Sequence, residues 1–290
     1  MFLFAFAAAL SALAPPGDPQ PEPPADQAIV VTGQKNMQKA VDDFVRSLTP
    51  GDVHGELSRF EHEVCPAVFG LAEPQAQAVE DRIRLVAKSV GIVVASGRCA
   101  PNVLLLVTSD KTAFLRELQR HSADDFGLSD RQFHDLEQQP GPAVAWQVQG
   151  PEMTADGVDL TEDTTQGVVV NRTVDPSSRI TQPVHPQFKA SAVVVERKAL
   201  VGLTTTQLAD YTAIRALTGA DPARLGNSSA ATILHVLEVP IGGEAPVTMT
   251  KWDYDFLLGF YNAQRDLRAG AQRSAISRGM ATKLQPPPGK

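Results

Sequence analysis

Apolar residues along this chain recur either at helical spacing or as short unbroken runs between turn residues, and the alternation predicts its elements. Met37, Val41, Phe44 and Leu48 share one face of a helix over 36–48. Residues 76–92 place Val79, Ile83, Val86 and Val90 on one face, with Gly91 as the stop. The continuous run NVLLLVTSD at 102–110 suits a strand covered on both faces. Helices follow over 111–121 and over 129–139, the second capped by Ser129, and then a strand over 143–150. Residues 150–190 are polar and rich in Gly and Pro, which predicts a hairpin-and-loop region with a strand over 167–174. The strong strand pattern resumes in ASAVVVERKALVGL, 190–203, and feeds a helix over 204–217 that Thr204 or Thr205 caps and Gly219 ends. In 248–263, Thr250 and Asp253 have capping-box spacing, and Trp252, Phe256 and Phe260 lie one turn apart. Ile276, Met280 and Leu284 stack in a last helix over 270–284. This order predicts one layered α/β domain, with α+β as the alternative, over 36–283, built from a mixed sheet and packed helices, followed by a frayed tail at 284–290.

The start of the chain changes the expected compartment. MFLFAFAAALSALAPPG is apolar and closes in Ala12-Leu13-Ala14, a small-x-small pattern, so 1–14 reads as a signal peptide despite lacking a positive n-region. A short buried helix is the alternative. A Pro-rich linker and a short β-rich segment, AIVVTGQK at 28–35, complete the stretch 15–35. That segment resembles the TonB box of outer-membrane receptors, although the alternating segments of a membrane barrel are missing from the rest. With export, Cys65 and Cys99, the only two cysteines, are most simply one disulfide; two free thiols are the alternative. The expected location is periplasmic or secreted, with no integral membrane span.

Charge and motifs narrow the function classes. The 26 Lys plus Arg against 33 Asp plus Glu give a net charge of −7, which argues against nucleic acid as a partner. The chain contains no G-x-G-x-x-G, G-x-x-x-x-G-K-[ST], G-x-S-x-G, S-x-x-K or H-E-x-x-H. No cofactor is expected. His54, Glu61, His62, Glu63 and Cys65 form the densest set of metal-ligand types, but their spacing matches no known site, and RFEHEVC reads as a solvated strand edge. His235 lies in an apolar run and reads as a core histidine, whereas His121, His134 and His185 stand alone in sequence. In the 204–217 helix, Leu208, Tyr211 and Leu217 or Thr218 form the packing face, while Asp210 and Arg215 point toward a solvated flank. The catalytic candidates are Asp210 and Tyr211 as acid and proton donor, with His235 and Asp253. Sequons occur at Asn171 and Asn227.

The stretches CPAVFGL, EDRIRLVAKSVGI, CAPNVLLLV, QLADYTAIRAL, ATILHVLE and TKWDYDFLLGFYNA together resemble a family of uncharacterised exported alphaproteobacterial proteins over residues 57–283. More distantly, the element order resembles a zincin-type metalloprotease domain, with Asp253, Leu257 and Tyr261 in a late D-x-x-x-L-x-x-x-Y helix. Zincins hold Zn²⁺ with two His one turn apart and use an intervening Glu as base. On this alignment QLADYTAIRAL supplies neither. The resemblance therefore implies a degenerate zincin-like scaffold without its metal site: a non-catalytic binding or assembly module whose partner is an envelope protein or a small ligand. A periplasmic hydrolase with a non-standard site is the alternative.

Overall fold

Four strands set the frame. The computed structural model describes residues 25–49, 56–122, 126–163, 168–170, 182–226, 228, 230–240 and 242–284. The predicted signal peptide, His54 and both sequons lie outside the described residues. In chain order the elements are α1 (Ala25–Leu48), β1 (Pro66–Phe69), α2 (Glu73–Ser89), β2 (Val103–Thr108), α3 (Lys111–Ser122), α4 (Asp130–Gln138) and β3 (Ala143–Gln149). Then come β4 (Met153–Thr154), β5 (Thr161–Asp163), β6 (Val168–Val170), β7 (Val184–His185), β8 (Phe188–Glu196), α5 (Thr205–Thr218), α6 (Lys251–Asn262) and α7 (Ala269–Leu284). The sheet runs β1-β2-β8-β3, with β1, β2 and β8 parallel and β3 antiparallel at the edge. This is an α/β domain with a mixed sheet.

Both sheet faces are covered, which explains the unbroken apolar runs. Val103, Leu105 and Val107 of β2, with Val193 and Val195 of β8, face the larger core, shared with α1, α2, α5, α6 and α7. Ala192 and Val194 of β8, with Val144 and Trp146 of β3, face a smaller core closed by Leu115, Phe133 and Leu136 of α3 and α4. The 150–190 region contributes the antiparallel pairs β4 with β7 and β5 with β6, and its expected strand over 167–174 is realised as Val168–Val170.

Three predicted caps form as full capping boxes: Ser129 with Gln132, Thr204 with Gln207, and Thr250 with Asp253. Gly219 ends α5 at φ 70°, a conformation that favours glycine. One local expectation fails. Residues 28–35 are helical, because α1 begins at Ala25 rather than after a strand. A β-branched residue costs a helix only a few tenths of a kcal/mol. No partner strand for this run exists among the described residues, so continuity with the amphipathic helix that follows wins.

Cys65 and Cys99 form a disulfide, tying the residue before β1 to the loop before β2. Asn102 reinforces the joint: its Oδ1 accepts from the Cys65 N–H at 2.7 Å and its Nδ2 donates to the Glu63 carbonyl at 3.0 Å. No described helix is long and apolar enough to cross a membrane. For a separation of 34 residues the chain-entropy relation gives about 3 to 4 kcal/mol. Reduction of the intact protein should lower its unfolding free energy by up to that amount, read from urea melts with and without reductant.

Candidate functional site

The helix α5 lies between the sheet and the helices α2 and α6, and its residues from Gln207 to Thr218 are all buried. The expected solvated flank therefore does not exist. Asp210 is 0% exposed and Arg215 3% exposed, because packing partners occupy the side where periodicity would place water. Asp210 receives a two-pronged grip from Arg82 of α2, with Nε to Oδ1 at 2.7 Å and Nη2 to Oδ2 at 3.0 Å. Its Oδ2 also accepts from the Thr248 hydroxyl at 2.6 Å and the Met249 N–H at 2.7 Å.

Asp253 is held in a similar way. It accepts from the Thr232 hydroxyl at 2.5 Å, the Ile233 N–H at 2.8 Å, and the N–H and hydroxyl of Thr250 at 2.9 and 2.7 Å. Burial pushes its carboxyl above the ordinary value, opposed by the hydrogen bonds from Thr232, Ile233 and Thr250. Asp210 and Asp253 thus bracket 248–250 and fix the loop that enters α6. His235 sits in a 3-10 turn, Ile233–His235, with its Nδ1 3.1 Å from Glu238 Oε2. Its side chain is 30% exposed, so the core-histidine expectation is corrected: the turn rotates it out of the apolar layer that takes Ile233 and Leu234. Among the described residues, no hydrogen bond joins any two of Asp210, Tyr211, His235 and Asp253. Leu257 is buried in the core, and the Tyr261 hydroxyl donates to the Leu217 carbonyl at 2.6 Å, closing the end of α5.

The acidic and histidine-rich stretch beside Cys65 divides. His62 is exposed and lies 3.1 Å from Asp159, while Glu63 is exposed and Cys65 is disulfide-bonded. The Glu61 side chain is only 4% exposed, which corrects its reading as solvated edge. Arg265 reaches its Oε2 at 2.6 Å, Arg59 lies at 3.7 Å, and His185 Nε2 lies 3.8 Å from Oε1. Burial raises the Glu61 carboxyl, opposed by Arg265 and Arg59. Neither ring nitrogen of His185 has a hydrogen-bond partner among the described residues. Burial, followed by Arg265 and Arg59, lowers the His185 pKa from 6.5 to about 4. His121 pairs with Glu117 of its own helix, and His134 is exposed on α4. Among the described residues no group of three or more His, Cys, Asp or Glu is placed to hold a metal ion.

Tyr211 and Arg215, one turn apart, open onto a cavity of about 120 Å³. The loop 139–143 before β3, the turn at Asp221–Ala223 and the stretch 234–238 complete its walls. Lys111 steadies that loop by donating to the Gln139 and Gly141 carbonyls. Arg215 Nη1 donates to the Tyr211 hydroxyl at 2.7 Å, and the guanidinium carbon lies 5.6 Å from the Tyr211 ring centroid. Burial raises the Tyr211 hydroxyl above its ordinary value, with Arg215 opposing, so the phenol stays protonated. Arg215 Nε is buried without a hydrogen-bond partner, and no carboxylate among the described residues forms an ion pair with this guanidinium. A buried cation that lines a cavity and has no ion-pair partner is suited to an anion. The chain matches no family model, no curated protein and no solved structure.

Sequence reasoning named Tyr211 but missed the pocket. Asp221, Glu238 and the 139–143 loop come from separate segments whose approach only the fold reveals. The available signal for Arg215 was local: it stands in TAIRALT, where apolar residues surround a helical cation on every side.

Two outcomes follow from these buried groups. Replacing Arg82 with Ala strands the fully buried Asp210 carboxylate and should cost about 3–5 kcal/mol in urea denaturation. The double variant Asp210→Ala/Arg82→Ala should recover part of that loss. Because His185 is held neutral, the folded chain binds fewer protons than the unfolded chain between about pH 4 and the ordinary value of 6.5. The associated stability is complete above pH ~6.5 and is lost as pH falls toward about 4, on the order of 2–3 kcal/mol. Unfolding free energies measured across that range should therefore show a shallower slope in His185→Gln than in the parent.

Proposed function

We propose that the protein is an exported, non-catalytic binding module of the cell envelope, and that the Arg215 pocket is its working surface. The observation that carries this reading is the Tyr211–Arg215 pair, whose buried guanidinium lines a cavity and meets no carboxylate in an ion pair among the described residues. On the zincin-like alignment the helix that would hold metal supplies neither histidine nor glutamate. Arginine has no acceptor and repels a divalent cation, so such a pair favours an anion over a metal. The engagement of the Asp210 and Asp253 oxygens in fixing loops further supports binding over hydrolysis. The disulfide supports an oxidising compartment.

Acetate is a minimal probe. At matched ionic strength against chloride, it should raise the melting midpoint in a saturable way, equivalent to about 1.4 kcal/mol at ten times its Kd. Arg215→Gln should remove the effect. Absence of any rise, or stoichiometric zinc in protein purified without chelator together with hydrolysis that EDTA abolishes, would overturn the reading.

A further inference from the structure

We infer that the ligand of this pocket is a small zwitterion, a molecule of the α-amino acid class with one carboxylate and one ammonium group; the inference rests on the binding reading above. The floor of the cavity provides the first half of the argument. Arg215 is 3% exposed, and its Nη1 is committed to the Tyr211 hydroxyl. Its Nε is buried without a partner, and its Nη2 donates to none of the described residues. Nε is sealed from the cavity, so Nη2 is the donor left to meet a ligand, and the guanidinium charge acts on the cavity through it. A carboxylate seated against Nη2 meets a buried positive charge that no carboxylate among the described residues pairs with.

The rim provides the second half. Asp221 and Glu238 line the same cavity, and neither pairs with Arg215. Glu238 is 59% exposed, with one oxygen shared with His235, while Asp221 Oδ1 accepts from the Ala223 N–H at 3.2 Å. One cation below two carboxylates repels a dianion such as inorganic phosphate, since the second charge of the ligand would face like charges at the mouth. A ligand whose negative end sits on Arg215 and whose positive end faces the rim matches both layers. Leu234 and Leu237 line the wall beside them and take an apolar side chain. A volume of about 120 Å³ also limits size. Sites for drug-sized ligands run to roughly 300–1,000 Å³, so this one admits a small molecule.

The test is NMR on the ¹⁵N-labelled full chain, following the Arg215 Nε–H resonance, assigned by its loss in Arg215→Lys. The probes are L-alanine, acetate, methylammonium and inorganic phosphate. L-Alanine should shift that resonance saturably, acetate should bind at least about tenfold more weakly, and methylammonium should leave it in place. In Asp221→Asn/Glu238→Gln the alanine affinity should fall to the acetate level while acetate binding is unchanged or tighter. Both rim substitutions keep the side-chain shape, so this variant decides the matter even if Arg215→Lys fails to fold, in which case the resonance is assigned by triple-resonance spectra. Acetate or phosphate binding as tightly as alanine would sink the zwitterion class and leave the anion-seat reading standing. No saturable shift with any of the four probes would overturn both.

Discussion

A helix buried on every side has to satisfy its polar side chains without water, and this constraint on α5 organises much of the molecule. Burying an unpaired charge or hydroxyl costs several times what a paired one returns. Most polar groups on α5 therefore dictate a neighbour. Asp210 requires Arg82 from α2 and the donors of 248–249. Thr212 and Thr218 turn their hydroxyls back to the Leu208 and Ile214 carbonyls. The carbonyls at its C-terminal end are taken by Gln147 of the edge strand, on Arg215, and by Tyr261 of α6, on Leu217. Sheet, α2 and α6 are thereby fixed to one helix by directed bonds as well as by packing.

The same logic recurs where α6 ends. Arg59, 3% exposed, donates to the Phe260 and Ala263 carbonyls at 2.9 Å and to Gln272 Oε1 at 2.6 Å. A buried cation thus serves the negative end of a helix and joins it to α7. Against this background Arg215 stands apart. Arg59 and Arg82 each meet acceptors through two nitrogens, whereas Arg215 donates to Tyr211 alone among the described residues and lines a cavity. That contrast within one core, rather than the presence of an arginine, marks the pocket as a site.

Much of the architecture could be read from the sequence, because it rests on local chemistry. Capping residues such as Ser129, Thr204 and Thr250 announce helix starts through their own side chains, and unbroken runs such as VLLLV announce strands covered on both faces. The errors arose where the outcome depended on a distant segment. AIVVTGQK has strand-like residues, yet a strand needs a partner, and the adjacent amphipathic helix absorbed it. Glu61 stands in an alternating charged stretch, but Arg265, some two hundred residues away, draws it inside. Helical periodicity directs Asp210 and Arg215 toward water because it assumes one wet side, which α5 lacks. The pocket is illegible for the same reason: its walls belong to four stretches with no pattern in common.

The grip of Arg82 on Asp210 also bears on how such a chain can diverge. A lone change at Arg82 leaves the Asp210 charge in a dry place and a lone change at Asp210 leaves Arg82 without its partner, whereas a joint exchange for two apolar residues of similar bulk removes the charge and its need at once. Descendants of this sequence should therefore alter the two sites in concert, and a lineage carrying only one of the changes should be selected against for lack of a stable fold rather than for loss of binding.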